Sequence, residues 1–300
     1  MLTARVAPMS RAALEEWRAA RARSGRPLPE PEEGDGYDAV DLVLDDVVVG
    51  GAVLTYGEQG GRSRAAVRTL QTTMAPDAAE PWAHVIAALE AHAGTRGARS
   101  LVTAVSPELA GVFRDAGFKA TMTTVSKRLD PTSAPELQED QRVSVRAMEL
   151  DERRRFAGEV MSFLRAGMER AGVLAASGAA LDELEERVAH LADDPLPEGE
   201  FLMTGLVDGE PVGRAWATLV TDDEGNVDFH GNTIDLFPQF RGQGLTRSFL
   251  GALRRHVREV GVRDVHLRVY AHDAGARRTF VDSGAAIDVV HLRKDLLTGA

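Results

Sequence analysis

The sequence predicts an α/β protein with mixed α+β sheets, organised as two tandem domains of similar design. Three observations carry this expectation. Strand-like and helix-like runs follow one another in nearly the same order in both halves. A polar stretch at 131–141, with two prolines and no apolar periodicity, separates the halves as a linker. The halves also align without gaps at one spacing. Phe113, Lys127 and Leu129 fall on Phe280, Lys294 and Leu296, each pair 167 residues apart. The expected domains are therefore 1–130 and 142–300, each long enough to bury its own core.

In the first half, apolar and β-branched runs place strands at 3–7, 39–44, 47–56, 65–72, 101–105 and 120–129. Helical spacing covers 11–24, 82–93 and 107–116. The Gly50-Gly51 pair inside a strand run predicts a bulge. In the second half, strands are expected at 142–148, 201–207, 213–220, 227–236, 265–270 and 286–293, with helices at 245–260 and 274–281. Between the first two of those strands, 152–191 reads as a long helical stretch broken near Gly172 and Gly178.

Composition narrows the function classes. The chain is 44% hydrophobic and 27% charged, a globular rather than a disordered composition. Its formal net charge of −11 argues against nucleic acid as a ligand, because neutralising phosphate needs a basic face; it is compatible with a cationic amine. No apolar run approaches the roughly 20 residues of a membrane span. The first residues turn polar too soon for a secretory signal, so the expected location is cytoplasmic with no membrane partner. Without cysteine there is no disulfide, no thiolate nucleophile and no Cys-ligated metal. No His-Glu-x-x-His occurs and no His/Asp/Glu spacing along the chain suits a metal, so none is expected.

The informative segment is Leu236-Phe237-Pro238-Gln239-Phe240-Arg241-Gly242-Gln243-Gly244-Leu245-Thr246. An apolar strand enters a glycine-containing turn from which an amphipathic helix starts at once. Such a turn aims unpaired backbone N–H groups at one point, and the helix N-terminus adds about half a positive charge. Together they cradle a diphosphate. No Gly-Lys-Ser/Thr follows, and Arg247 stands where a dinucleotide fingerprint needs its third glycine.

Gln239-x-Arg241-Gly242-x-Gly244 resembles the coenzyme A diphosphate turn of the GNAT superfamily of acyl-CoA-dependent N-acyltransferases. The stretch Asp273-x-x-Ala276-x-x-x-Phe280-x-x-x-Gly284 is similar to that family's second motif, Asn-x-x-Ala-x-x-x-Tyr-x-x-x-Gly. The layout as a whole resembles tandem two-domain bacterial acetyltransferases of the mycothiol synthase type. The resemblance implies that each half is a GNAT-like domain with a splayed pair of parallel strands, and that acetyl-CoA is the co-substrate. It implies a thioester lying between 227–236 and 265–270, its carbonyl held by an amide near Leu236 or Phe237. The diphosphate would take N–H groups of Phe240, Arg241, Gln243, Gly244 and Leu245, with Gln239, Gly242 and Thr246 completing the turn. Asp273, Ala276 and Phe280 would flank the coenzyme from the second motif.

The first half keeps the fold signal and loses the turn. Met74, Ala75 and Asp77 stand where Arg241, Gly242 and Gly244 stand in the second. Two like unit charges about 4 Å apart repel by about 4 kcal/mol at an effective dielectric near 20, so Asp77 opposes a bound diphosphate. Pro76 also removes a donor.

Acyl transfer to an amine needs a proton acceptor, a stabilised oxyanion and a proton for the departing thiolate. Strand alternation places Asp228, His230, Asn232 and Ile234 on one face of 227–236, with Phe229, Gly231, Thr233 and Asp235 on the other. The resemblance favours His230 as base; Asp235 is the alternative if the faces are reversed, and Asp228 comes third. Phe280 replaces the family's tyrosine acid, which leaves water, Tyr270 or His272 to protonate the thiolate. Phe163, Met168 and Leu174 are candidates to line an acceptor pocket. The leading expectation is an acetyl-CoA-dependent N-acetyltransferase acting on a small-molecule amine by direct attack. The alternatives are a non-catalytic acyl-CoA-binding or regulatory protein and a GNAT-fold enzyme using another acyl-CoA.

Overall fold

The computed structural model describes residues 2–23, 36–59, 62–129, 142–173, 179–222 and 224–296. The expected linker at 131–141 and Leu174 lie outside them. The first half runs β1 (Ala4–Pro8), α1 (Arg11–Arg23), β2 (Gly36–Leu44), β3 (Val47–Gln59), β4 (Arg62–Thr72), α2 (Ala79–Thr95), β5 (Ser100–Val105), α3 (Ala110–Asp115) and β6 (Lys119–Arg128). The second runs β7 (Val143–Ala147), α4 (Leu150–Arg170), α5 (Ala179–His190), β8 (Glu200–Val207), β9 (Glu210–Thr221), β10 (Val227–Leu236), α6 (Leu245–Glu259), β11 (Val262–Tyr270), α7 (Ala274–Asp282) and β12 (Ala286–Asp295). The spacing of 167 residues carries β6 directly onto β12 and α1 closely onto α5. The second half departs from the repeat mainly by inserting α4 after its first strand.

The chain forms two compact units. Unit 1 takes the described residues up to 122 and those from 289 onward; unit 2 takes 123–173 and 179–288. The expected division at 130 and 142 is crossed in one respect, because most of each half's last strand belongs to the other unit. In unit 1, residues 290–295 of β12 pair antiparallel with β5. In unit 2, Leu129, just past β6, donates its N–H to the Arg263 carbonyl of β11 at 2.8 Å. β6 and β12 are the repeat's equivalent strands, so β5 and β11 present the same kind of edge and each can accept the other half's strand.

Within unit 1 the strands lie in the order β1-β2-β3-β4-β5, antiparallel except for the parallel pair β4–β5. The register of β2 against β3 shifts beside Gly50, leaving Val49 without a partner on β2, so the bulge falls next to the glycine pair. Trp82, Leu89 and Phe113 are fully buried there, with the Phe113 ring edge-on to Phe118 at 5.2 Å.

Within unit 2 the order is β7-β8-β9-β10-β11, antiparallel except for the parallel pair β10–β11. Two hydrophobic clusters form. One gathers Phe201, Phe229, Phe249, Leu253 and Leu267 beneath α6, with Ala276 and Phe280 of α7 packed against it. The other gathers Phe156, Val160 and Leu164 of α4, Val188 of α5 and Trp216 of β9. α4 begins with a reciprocal capping box, the Glu149 and Glu152 side chains each accepting from the other's end of the turn. No described helix is long and apolar enough to cross a membrane.

Phe249 is 1% exposed and central to the α6 cluster. Phe249→Ala is expected to lower unfolding free energy by about 3–5 kcal/mol, measured by urea denaturation, because a cavity of aromatic size cannot fully collapse.

Candidate active site

The parallel pairing of β10 and β11 runs from Val227–Val262 to Gly231–Leu267. Beyond that point the two strands part, although β10 continues along β9 as far as Leu236–Gly213. Gly231 marks the apex: a Cβ there would lie 2.3 Å from Leu267 Cδ2. A cleft therefore opens between Asn232–Leu236 and Arg268–Tyr270.

At the same apex β10 carries a bulge. Its register against β9 shifts between Gly231 and Thr233, leaving Asn232 unpaired. His230 pairs with Thr218, Thr233 with Trp216 and Asp235 with Arg214, three residues that alternate along one face of β9. His230 and Asp235 consequently share the face that α4 and α5 cover. Phe229, Ile234 and Leu236 lie in the opposite cluster beneath α6. The expectation that His230 and Asp235 point to opposite faces is thus corrected: the extra residue reverses the alternation. A parallel correction concerns the backbone. Phe237 donates its N–H to the Val212 carbonyl at 2.9 Å, so it is not free for a ligand. By the same alternation the Leu236 N–H points away from β9, toward the cleft.

The turn that follows starts as one 3-10 turn, Pro238–Phe240. Phe240 and Arg241 spend their N–H groups inside it, on the carbonyls of Phe237 and Pro238 at 2.9 and 3.3 Å. That removes two of the five amides expected to hold a diphosphate. Gly242 and Gly244 take left-handed φ values of 74° and 76°, a conformation that side chains disfavour. Gly244 is the N-cap of α6 and no side chain caps the helix, so its first amides stay open. The Arg241 guanidinium folds back: its Nε donates to the Leu236 carbonyl at 2.9 Å. Gln243 Nε2 donates to the Gln239 carbonyl at 2.8 Å, bracing the turn.

The matching turn in unit 1 is closed on itself. Ala78 and Ala79 donate to the Ala75 and Asp77 carbonyls, and the Trp82 indole N–H also reaches Ala75. None of residues 73–78 has a positive φ.

On the α4 face, Asp235 accepts from Arg214 Nε at 3.3 Å, with Arg241 4.0 Å away. Burial raises the Asp235 carboxyl, and the charge of Arg214 offsets that only in part. Arg214 also donates to Glu159 of α4 at 2.8 Å. Higher on the strand, the His230 and His266 rings stack at 4.8 Å. Partial desolvation beside the neighbouring strand, and then the charge of His266, lowers the pKa of His230. Asn232 Nδ2 donates to Thr218 Oγ1 at 3.1 Å. Thr218 also accepts from Arg187 of α5, which binds Glu200, while Trp216 Nε1 donates to the other Glu200 oxygen at 2.6 Å. Sequence reasoning misses Thr218, Arg187, Glu200 and His266, because the bulge and cross-strand register that assemble them leave no local signature. His266 falls within the expected strand, but only its pairing with His230 gives it meaning.

Tyr270 ends β11 on the cleft, against Gly167 of α4, with its ring stacked on His272 at 5.5 Å. Burial raises its phenol and keeps it protonated. Asp273 caps α7, its Oδ1 accepting from the Ala276 N–H at 2.9 Å. Phe280 lines a small apolar cavity of about 60 Å³ with Phe229, Ile234 and Leu253, away from the His230 face. Of the acceptor-pocket candidates, Met168 packs into the α4 cluster and Phe163 is exposed on α4. A roomier cavity of about 260 Å³ lies on the α4 face beside Phe237, lined by Glu152, Arg155, Phe156, Glu159 and Arg214.

Residues 171–284 match the family model of the acetyltransferase (GNAT) family. No curated protein matches the chain. Among solved structures, a GCN5-related N-acetyltransferase from Sphaerobacter thermophilus superposes with a TM-score of 0.51 at 17% identity, covering 100% of this chain and 97% of that one. A tandem GNAT protein from the clavulanic acid biosynthesis pathway gives 0.47 at 14% identity, with 100% of both chains covered. A GCN5-related N-acetyltransferase from Kribbella flavida gives 0.40 at 16%, covering 84% and 89%. At such identities the likeness is one of fold, and the first of these structures carries it. The matched segment includes α5, the parted strands, the open turn and α7. Residues 171–284 are therefore similar to the GNAT family, in a chain that shares the fold of a GCN5-related N-acetyltransferase.

Proposed function

We propose that this protein is an N-acetyltransferase that moves the acetyl group of acetyl-CoA to a primary amine of a small molecule by direct attack. The observation that carries this reading is the continuity of the parted strands β10 and β11 with a turn whose open amides face outward. The diphosphate is held by the N–H groups of Gly242, Gln243, Gly244, Leu245 and Thr246, at the positive end of α6. The pantetheine arm lies along the free edge of β10, and a backbone amide of that edge near the bulge stabilises the thioester oxyanion. Asp273 supports the site by fixing the start of α7, and Ala276 and Phe280 contribute apolar packing.

The acceptor amine enters from the α4 face, by the cavity beside Phe237, whose lining combines two carboxylates with Arg155, Arg214 and two aromatic rings. Its nitrogen attacks the thioester carbon, the C–S bond breaks, and the coenzyme leaves as thiolate. His230, two residues and about 7 Å along the strand from the bulge, takes the amine proton through a water. Its lowered pKa supports this role, since the imidazole is then neutral at pH 7. Asp235 is on the same face but committed to Arg214, and it orients that arginine. Tyr270, kept protonated by burial, returns a proton to the thiolate. A second reading, a coenzyme-binding protein without turnover, is favoured by one observation: Phe280, at the family's tyrosine position, has no proton to give.

The readings separate in one assay. Thiol release from acetyl-CoA with a panel of small amines is expected to exceed background, and preference for a longer acyl chain would redirect the donor assignment. Coenzyme binding without release for any amine would select the binding reading. Gly244→Val, which forces a branched residue to φ 76°, is expected to abolish coenzyme binding by calorimetry while circular dichroism shows the fold kept.

The proton acceptor has its own signature. Because the His230 pKa is lowered, kcat/KM should stay level through neutral pH and fall only below the ordinary histidine range, as the imidazole gains its proton. His230→Gln is expected to lose about a hundredfold in kcat/KM together with that acidic limb. An unchanged pH profile in this variant would move the role to another group.

A further inference from the structure

We propose that Asp228, His230 and His266 form a binding site for one divalent transition-metal ion, with Zn²⁺ as its probe. Among the described residues these three are the one grouping whose ligand atoms all lie within 4.8 Å of one another. Spacing along the chain could not reveal it, because the ligands come from two strands. Asp228 and His230 stand two apart on β10, and His266 faces His230 across the parallel pair β10–β11. Adjacent strands about 4.8 Å apart and alternate residues about 6.6 Å apart are the scale on which three side chains converge on one ion.

The donor set argues for the kind of metal. Two imidazoles and one carboxylate suit zinc or iron(II), whereas magnesium and calcium prefer oxygen ligands alone. Asp228 brings a second, independent sign. Its Oδ1 is buried and makes no hydrogen bond, the condition that burial of a charged oxygen makes costly. Its neighbour Arg263 is 3.6 Å from that oxygen but donates to Asp264 at 2.8 Å and also faces Asp222 at 3.4 Å. Asp228 Oδ2 lies 4.0 Å from His266 Nε2, so small side-chain rotations bring both onto one ion. His230 is exposed and leaves the site open to solvent. The ion would carry water or a substrate atom in its remaining positions.

Metal at this site takes the lone pair that His230 needs as a base. Resting on the transferase reading, Zn²⁺ is therefore an inhibitor of acetyl transfer. Binding itself is independent of that reading and is measured without coenzyme. Titrating the metal-free full-length chain with Zn²⁺ in a calorimeter is expected to show one site per chain, and Co²⁺ to develop a visible absorption band at the same stoichiometry. His266→Gln and Asp228→Asn should each weaken binding by at least about 10- to 100-fold, the range known for outer-shell partners alone. His190→Ala, which removes a surface His–Asp pair, should leave binding unchanged. No binding at millimolar Zn²⁺, or a one-to-one site that survives both His266→Gln and Asp228→Asn, would overturn the assignment. Should one variant fail to fold, the other, with the Co²⁺ spectrum, still decides.

Discussion

The separation of β10 from β11 after Gly231 is the constraint from which the rest of unit 2 follows. Parallel strands normally satisfy each other's backbone along their length; here pairing stops and β10 is left with one free edge. Such an edge is suited to pairing with an extended amide-bearing ligand. Two features keep the strand ordered while its edge is exposed. β9 remains paired with β10 down to Leu236, and Phe229, Ile234 and Leu236 anchor it in the core beneath α6. The bulge at Asn232 then sets which side chains meet the cleft from the α4 side. The polar groups on the strand are positioned by the register of β9 rather than by loops.

The two halves share a fold but not the turn. Unit 1 repeats the parallel pair, β4 with β5, and the helix that follows the turn. What differs at the turn is a handful of residues. With Ala75 and Asp77 in place of the glycines and Pro76 between them, the turn satisfies its own amides and carries a carboxylate. The repeat is visible even in its exceptions. Lys127 and Lys294 are equivalent; Lys127 donates to the Ser283 carbonyl at the end of α7, and Lys294 binds Glu90 and approaches Gly117 just past α3. Each lysine therefore binds a partner in the half it does not belong to in sequence, which is the exchange of last strands seen at the level of one side chain.

Much of this architecture is legible in the amino-acid sequence. The strand–turn–helix at 227–260 has local causes: β-branched and apolar alternation, glycines that tolerate left-handed φ, and an amphipathic helix. All three take their expected places in the fold. The common spacing of 167 residues is equally readable, since β6 and β12 coincide under it. Strand exchange is not, because either strand completes either sheet and the sequence of an edge does not say which copy it accepts. The Asn232 bulge is hidden as well. Nothing local marks one extra residue, yet it decides that His230 and Asp235 share a face. The Phe237 amide is misassigned from sequence for the same reason, since only the register with Val212 shows it to be engaged.

The most direct test of the account is a crystal structure of the full-length chain with acetyl-CoA. It should place the diphosphate oxygens within hydrogen-bond distance of the amides from Gly242 to Leu245, the thioester between β10 and β11, and leave the 73–78 turn of unit 1 without coenzyme. A coenzyme bound elsewhere, or held at 73–78 while the 242–246 turn stays closed to it, would contradict the account.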